Sequence, residues 1–197
     1  MKPVGIFYAT RQGQTQHIAE HIGARLEGRG FVCEVTNVRG LARPLDFGKY
    51  SAALVAASVH AGTHEREMVS FVRRYRRELE ALPNAFFSVT LSEAGVEQLE
   101  RTPAERAQFA QGVETVIREF IEGTGWRPCA VKPVAGALRY SKYNPVLRFA
   151  MRQIAKQAGA PTDRDREYTD WGALDRFLEE WAATLAEPAS SARATGR

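Results

Sequence analysis

Three short, largely apolar runs constrain this chain most: Pro3 to Ala9 (PVGIFYA), continuous throughout, Ala52 to Ala57 (AALVAA) and Ala85 to Val89 (AFFSV). A strand with one face in water alternates apolar and polar residues. A strand that is apolar throughout has both faces covered, as in a parallel sheet. Between the runs the period becomes helical. Ile18, Ala19, Ile22 and Leu26 share one face of a segment that closes near Gly28 and Gly30. Met68, Phe71, Val72, Tyr75 and Leu79 do so in a second segment, ended by Pro83. Thr102-Pro103 opens a third, with Phe109, Val113, Val116, Ile117 and Phe120 inward. Proline is tolerated in that first turn because its missing N–H has no intrahelical partner anyway. Asp170-Trp171 opens a fourth, carrying Leu174, Phe177, Leu178, Trp181 and Leu185. Phe31 to Val38 reads as the second strand and Cys129 to Leu138 as the fifth, where Pro133 predicts a bulge or an edge. The expected fold is α/β: a doubly wound, five-stranded parallel sheet with helices on both faces and right-handed crossovers.

The 197 residues suit one domain, predicted over 1–187, with 188–197 as a disordered tail lacking any large apolar residue. A chain this long buries about 70% of its unfolded surface and needs no disulfide or metal to hold a core. Cys33 and Cys129 lie far apart and outside any CxxC or metal-spaced cluster, so reduced thiols in a cytoplasmic fold are expected. No apolar run approaches the ~20 residues of a spanning helix. The N-terminus lacks a signal-peptide layout, so neither secretion nor membrane crossing is predicted. A net charge of +4 and a pI near 9.3 favour anionic ligands or an anionic membrane face. No zinc-finger spacing, RNP-like motif or Lys/Arg block points to nucleic acid. His17 and His21 stand four apart but lack a third metal ligand, and a solvated helix face is the expectation.

In doubly wound sheets ligands sit at the carboxyl ends of the strands. The turn leaving the first strand is Ala9-Thr10-Arg11-Gln12-Gly13-Gln14-Thr15. It is neither a GK[ST] P-loop nor a GxGxxG turn, which counts against ATP and dinucleotides. It offers hydroxyls at Thr10 and Thr15, a glycine permitting close backbone approach, and a helix N-terminus whose N–H groups and dipole favour a phosphate dianion. An ordinary strand–helix turn capped by threonine is the other reading.

That turn resembles the FMN-phosphate loop of the flavodoxin fold. The resemblance implies that the loops after strands three and four meet the isoalloxazine ring. Here these are Ser58-Val59-His60-Ala61-Gly62 and Ser88-Val89-Thr90-Leu91-Ser92. Neither contains Phe, Tyr or Trp and the chain is basic, both unlike the acidic electron carriers that sandwich the ring between aromatics. A closer resemblance runs through FYATRQGQT (Phe7–Thr15), AASVHAG (Ala56–Gly62), FFSVTL (Phe86–Leu91), WRPCAV (Trp126–Val131), VAGALRYSKY (Val134–Tyr143) and YTDW (Tyr168–Trp171), in order. These resemble the flavodoxin-like, menaquinone-dependent protoporphyrinogen IX dehydrogenase family.

The resemblance implies FMN as cofactor, a tetrapyrrole substrate, and menaquinone or another quinone as acceptor. It also implies a basic helical insertion around strand five, here residues 139–169. Within it Arg148, Arg152 and Lys156 form a basic stripe, with Leu147, Met151, Ile154 and Ala158 on another side. Two readings stand: a helix lying on the anionic inner face of the cell membrane, or an apolar stripe packed on the domain. Arg139 and Arg148 are the expected partners of the substrate propionates. Tyr140 stacks on ring or substrate, or packs inside. His60 is expected first as a ring contact, with a proton-transfer role near neutral pH as the second reading. No catalytic residue is assigned. The competing functions are a flavodoxin-type carrier or NAD(P)H:quinone reductase, and a binding module without turnover. Oligomeric state stays open, a homo-oligomer included.

Overall fold

The computed structural model describes residues 1–41, 43–138 and 165–186. Its sheet carries five parallel strands in the order β2-β1-β3-β5-β6. These are β1 (Val4–Ala9), β2 (Cys33–Asn37), β3 (Ala52–His60), β5 (Asn84–Thr90) and β6 (Val131–Ala135). The short β4 (Thr63–His64) folds back antiparallel on the end of β3. Helices α1 (Gln14–Glu27) and α6 (Trp171–Ala186) cover one face; α2 (Arg66–Arg74), α3 (Arg76–Glu80) and α5 (Pro103–Thr124) serve the other. Helix α4 (Leu91–Glu97) follows β5 directly and packs on α5 and β6.

The apolar runs are buried on both faces, as expected, and their alternation divides them between two cores. Ile6, Leu54, Phe87 and Ile22 join Leu178 and Trp181 on one side. Phe7, Val55, Phe86, Phe71 and Trp126 meet on the other. Alanines 52, 53, 56 and 57 in the central β3 leave room for the rings of Phe7, Phe86 and Phe87 on the flanking strands. The Thr102 cap holds as read: its hydroxyl accepts from the Glu105 N–H while Glu105 reaches back to the Thr102 N–H, and Gly125 closes α5 in the left-handed region. Pro133 lies on β6, an edge of the sheet, where a missing N–H breaks no ladder.

Four expectations change. The third strand runs on to His60, because β4 pairs with it at Val59↔His64 and His60↔Thr63. The fourth strand continues to Thr90 and enters α4 without a loop, since the Thr90 hydroxyl caps the helix by accepting from the Ser92 N–H. The fifth strand splits: after β6 the chain leaves the sheet, and β7 (Ala137–Leu138) pairs antiparallel with β8 (Arg166–Glu167). The second helix breaks at Tyr75, whose ring packs with Phe47 and Phe71. The basic stripe of the insertion, Arg139, Tyr140, Arg148 and the tail lie outside the described residues.

Candidate functional site

A cleft of about 550 Å³ opens at the carboxyl ends of β1, β3 and β5. Thr10, Arg11, Gln12, Gln14 and Thr15 line one end. Ser58, Val59, His60 and Ala61 form a second wall, Val89, Thr90 and Leu91 a third. All three segments read from the sequence as ligand-contacting therefore meet around one space. Gly13 and Gly62 shape the turns, while Ser88 and Ser92 lie outside the lining.

The turn after β1 is built locally. Gly13 adopts φ 91°, a left-handed conformation that L side chains rarely take, and its N–H donates to the Thr10 hydroxyl at 3.0 Å. That hydroxyl keeps its own hydrogen for another acceptor. Thr15, in the first turn of α1, is fully buried, and its hydroxyl oxygen has no hydrogen-bond partner among the described residues. Buried polar groups are normally paired, so this hydroxyl, at a helix N-terminus beside a cleft, is one that could hydrogen-bond an anion. Arg39 ties the turn to the end of β2 by donating to the Thr10 carbonyl at 3.0 Å. Gln14 donates to the Thr169 hydroxyl, which donates in turn to the Ala135 carbonyl, tying α1 to the end of β6.

The β3–β4 hairpin is built around a distant group. Ala61 and Gly62 both have positive φ, 49° and 79°, the geometry of a tight two-residue hairpin turn. Behind it lies Glu65, whose side chain is 0% exposed. One carboxylate oxygen accepts from Arg11 Nε at 2.9 Å. The other accepts from the Ser58 hydroxyl at 3.2 Å and has His60 Nε2 beside it, also at 3.2 Å. Glu65 thus links the first turn to the end of β3. Burial lowers the proton affinity of His60; Glu65 partly offsets this and Arg11 adds to it. His64, four residues on, is buried between Phe86 and Phe120 with Nε2 on the Ser88 hydroxyl at 2.9 Å. Burial pushes its pKa down to about 4.

Sequence reasoning missed Glu65, Arg39 and Thr169, along with Gly136 and Ala137 in the lining. Signals existed for Thr169, inside the YTDW motif, and for Gly136 and Ala137, inside VAGALRYSKY. His21 is also not a free solvated side chain: it pairs with Asp175 at 2.7 Å and packs on Trp171, docking α1 on α6.

No Phe, Tyr or Trp stands in the described lining. Val59, Ala61, Val89, Leu91, Gly136 and Ala137 give it small apolar walls, with the polar groups gathered at the first turn. Such a cleft accepts a flat apolar ring system carrying a phosphate-tipped chain.

A model of the flavodoxin domain matches residues 5–165. The protoporphyrinogen IX dehydrogenase (quinone) of Escherichia coli K12 is 32% identical over 185 residues, 93% of this chain and 96% of that protein. Its namesake from Leishmania major is 31% identical over 181 residues, 90% of this chain and 74% of that protein. Among solved structures, a cysteine-to-serine mutant of a Pseudomonas aeruginosa flavodoxin aligns with a TM-score of 0.51 at 15% identity, over 94% of this chain and 99% of that one. A short-chain flavodoxin associated with a bacterial microcompartment aligns with a TM-score of 0.52 at 14% identity over the same shares.

Proposed function

The chain belongs to the flavodoxin domain family, and from that premise we propose that it is an FMN-dependent, quinone-linked dehydrogenase converting protoporphyrinogen IX to protoporphyrin IX. The observation that carries this reading is similarity above 30% to a protoporphyrinogen IX dehydrogenase along nearly the whole of both chains. The similarity favours this over a flavodoxin-type carrier, and the absence of Phe, Tyr and Trp from the described lining agrees.

FMN fits the residues present. The orphan hydroxyl of Thr15, the free hydrogen of the Thr10 hydroxyl, the relaxed backbone at Gly13 and the α1 N-terminus would hold its phosphate. The ends of β3 and β5 would flank its ring. Bound there, FMN supplies a two-electron acceptor that quinone can regenerate, and the six-electron oxidation of the tetrapyrrole needs three turns of it. The protein orients the substrate. Arg11 lines the cleft with Nε committed to Glu65, and its two terminal nitrogens make no hydrogen bond among the described residues. They form a fork suited to a carboxylate or phosphate. Arg139 and Arg148 remain the proposed propionate partners.

Peripheral association with an anionic membrane is part of the proposal, because the quinone acceptor resides there. No helix among the described residues is long and apolar enough to cross a membrane. Support comes from Arg66, Arg73, Arg74, Arg76 and Arg77 on α2 and α3, none of which has a carboxylate within ion-pair distance among the described residues. Each such cation near an anionic surface contributes about 1 kcal/mol.

The deciding experiment is an anaerobic titration of the FMN-loaded protein with protoporphyrinogen IX. Flavin absorbance should bleach, porphyrin fluorescence should appear, and menaquinone should restore the flavin. Flavin that stays oxidised would remove the substrate assignment while leaving the fold. Flavin reduced by NAD(P)H instead would bring the quinone reductase reading forward.

A further inference from the structure

Resting on that reading, we propose that His60 is the proton acceptor of the dehydrogenation, and that Glu65 is the positioning residue that fixes the imidazole tautomer able to act. Among the described residues lining the cleft, His60 is the one side chain that exchanges a proton near neutral pH. Its side chain is 29% exposed, so substrate and water both reach it. His64 is no rival, being buried on Ser88, and Glu65 has no exposure at all.

The tautomer follows from which groups can donate. Glu65 is held from both sides, by Arg11 Nε at one oxygen and the Ser58 hydroxyl at the other, while its own N–H donates to the Ser58 carbonyl at 3.1 Å. A carboxylate only accepts. The carboxylate charge 3.2 Å from Nε2 favours the tautomer that carries its hydrogen on that nitrogen, with the lone pair on Nδ1. Nδ1 has no hydrogen-bond partner among the described residues. The two charges facing the ring are Glu65 from the start of α2 and Arg11 from the first turn. Burial and Arg11 keep the imidazole neutral at pH 7, and Glu65 steadies it once protonated.

In each turn a methylene-bridge C–H bond of the tetrapyrrole breaks, and its electron pair leaves as hydride to the flavin, the two-electron acceptor. A second bond breaks as well: a pyrrole N–H in two of the three turns and a C–H of the last methylene bridge in the third, which leaves four methines and two N–H groups. The electrons of that second bond become the new π bond, and its proton passes to Nδ1. The imidazolium formed against Glu65 then releases that proton to water through its exposed part. Hydride and proton together account for the two hydrogens removed.

The test compares FMN-loaded wild type, His60→Gln and Glu65→Gln in anaerobic single-turnover reduction across pH, and reads the His60 tautomer by imidazole ¹⁵N NMR of the full chain. Wild type should show the Nε2–H pattern and a rate that rises through the acid range to a plateau below pH 7. His60→Gln should lose that limb and slow by roughly 10²- to 10⁴-fold. Glu65→Gln presents an amide N–H to Nε2, so the hydrogen should move to Nδ1 and the rate fall with it. A wild-type rate and pH limb in His60→Gln would overturn the proposal, as would an Nδ1–H pattern in the wild type, which requires no variant to fold. If protoporphyrinogen fails to reduce wild-type flavin at any pH, the functional reading itself falls and takes this role with it. That outcome is separate, because it shows in wild type alone.

Discussion

The turn after β1 and the hairpin after β3 bring side chains to the same cleft by opposite means. The first places glycine where the backbone needs positive φ, and closes with a hydrogen bond between residues three apart, Gly13 to Thr10. The second places Ala61 at φ 49°, a conformation costing an L residue about 1–2 kcal/mol. It is backed by a buried carboxylate reached from another strand. A local turn keeps its donors for an anion; a turn held by long-range contacts fixes the orientation of a ring nitrogen. Strain retained beside a cleft is a reasonable mark of function.

The largest expected effect concerns the hairpin alone. His64 has an ordinary pKa of 6.5 that burial lowers to about 4 in the fold. Above pH 6.5 it is neutral both folded and unfolded and has no effect on stability. As pH falls from 6.5 toward 4, the unfolded chain takes up a proton that the folded one refuses, so stability falls. The full loss is roughly 3 kcal/mol from this one group. Burial lowers the proton affinity of His60 too, so the readout is the difference between wild type and His64→Gln. Urea unfolding at pH 7 and pH 4.5 should show a markedly smaller drop in the variant. Equal drops would place the acid sensitivity elsewhere and remove the hairpin's claim to be the pH-dependent half of the site.

Next is the first turn. Thr15→Val keeps the shape and deletes a hydroxyl that has no partner among the described residues. A hydrogen bond to a charged group contributes about 1.5–3 kcal/mol. FMN should therefore bind about 10- to 100-fold more weakly by fluorescence quenching. Urea unfolding of the FMN-free variant should show no loss of stability, because an unsatisfied buried oxygen has gone. Affinity and stability falling together would mean that the hydroxyl serves the fold, and the contrast between an open turn and a braced hairpin would fail.

The contrast also explains what is legible in the sequence. The turn after β1 is readable because its parts are neighbours: Thr10, Gly13 and Thr15 announce a turn and a helix start within six residues. The apolar runs are readable because a strand covered on both faces leaves no room for polar alternation. Glu65 is not, since nothing in Thr63-His64-Glu65-Arg66-Glu67 distinguishes a buried acid from a solvated helix start. Its burial depends on Arg11 and Ser58 arriving from the ends of two strands. The extension of β3 to His60 is hidden for the same reason. Apolar content ends at Val59, and only pairing with β4 keeps Val59 and His60 in the sheet. Arg39 and Thr169 follow that pattern, acting on backbone carbonyls far away in sequence, where side-chain type carries little information.

The smallest effect is also the closest comparison, a pair of reciprocal substitutions. At Gly13 a Cβ would meet nothing within 4 Å, so Gly13→Ala tests conformation alone. It should cost about 1 kcal/mol, the usual penalty for an L residue held at positive φ. At Ala61 the reverse change relieves that penalty, so Ala61→Gly should raise stability, by about 0.5–1 kcal/mol once the added freedom of the unfolded chain is subtracted. Thermal melts of the two FMN-free variants should therefore move in opposite directions. Function should not follow stability. A glycine at 61 loosens the backbone beside His60, so the relaxed hairpin should hold the imidazole less firmly and broaden its ¹⁵N signals while the protein melts later. If Ala61→Gly lowers the melting temperature, Ala61 owes its conformation to favourable packing of its methyl group rather than to bracing by Glu65. The two turns would then be alike, each with the residue its backbone prefers.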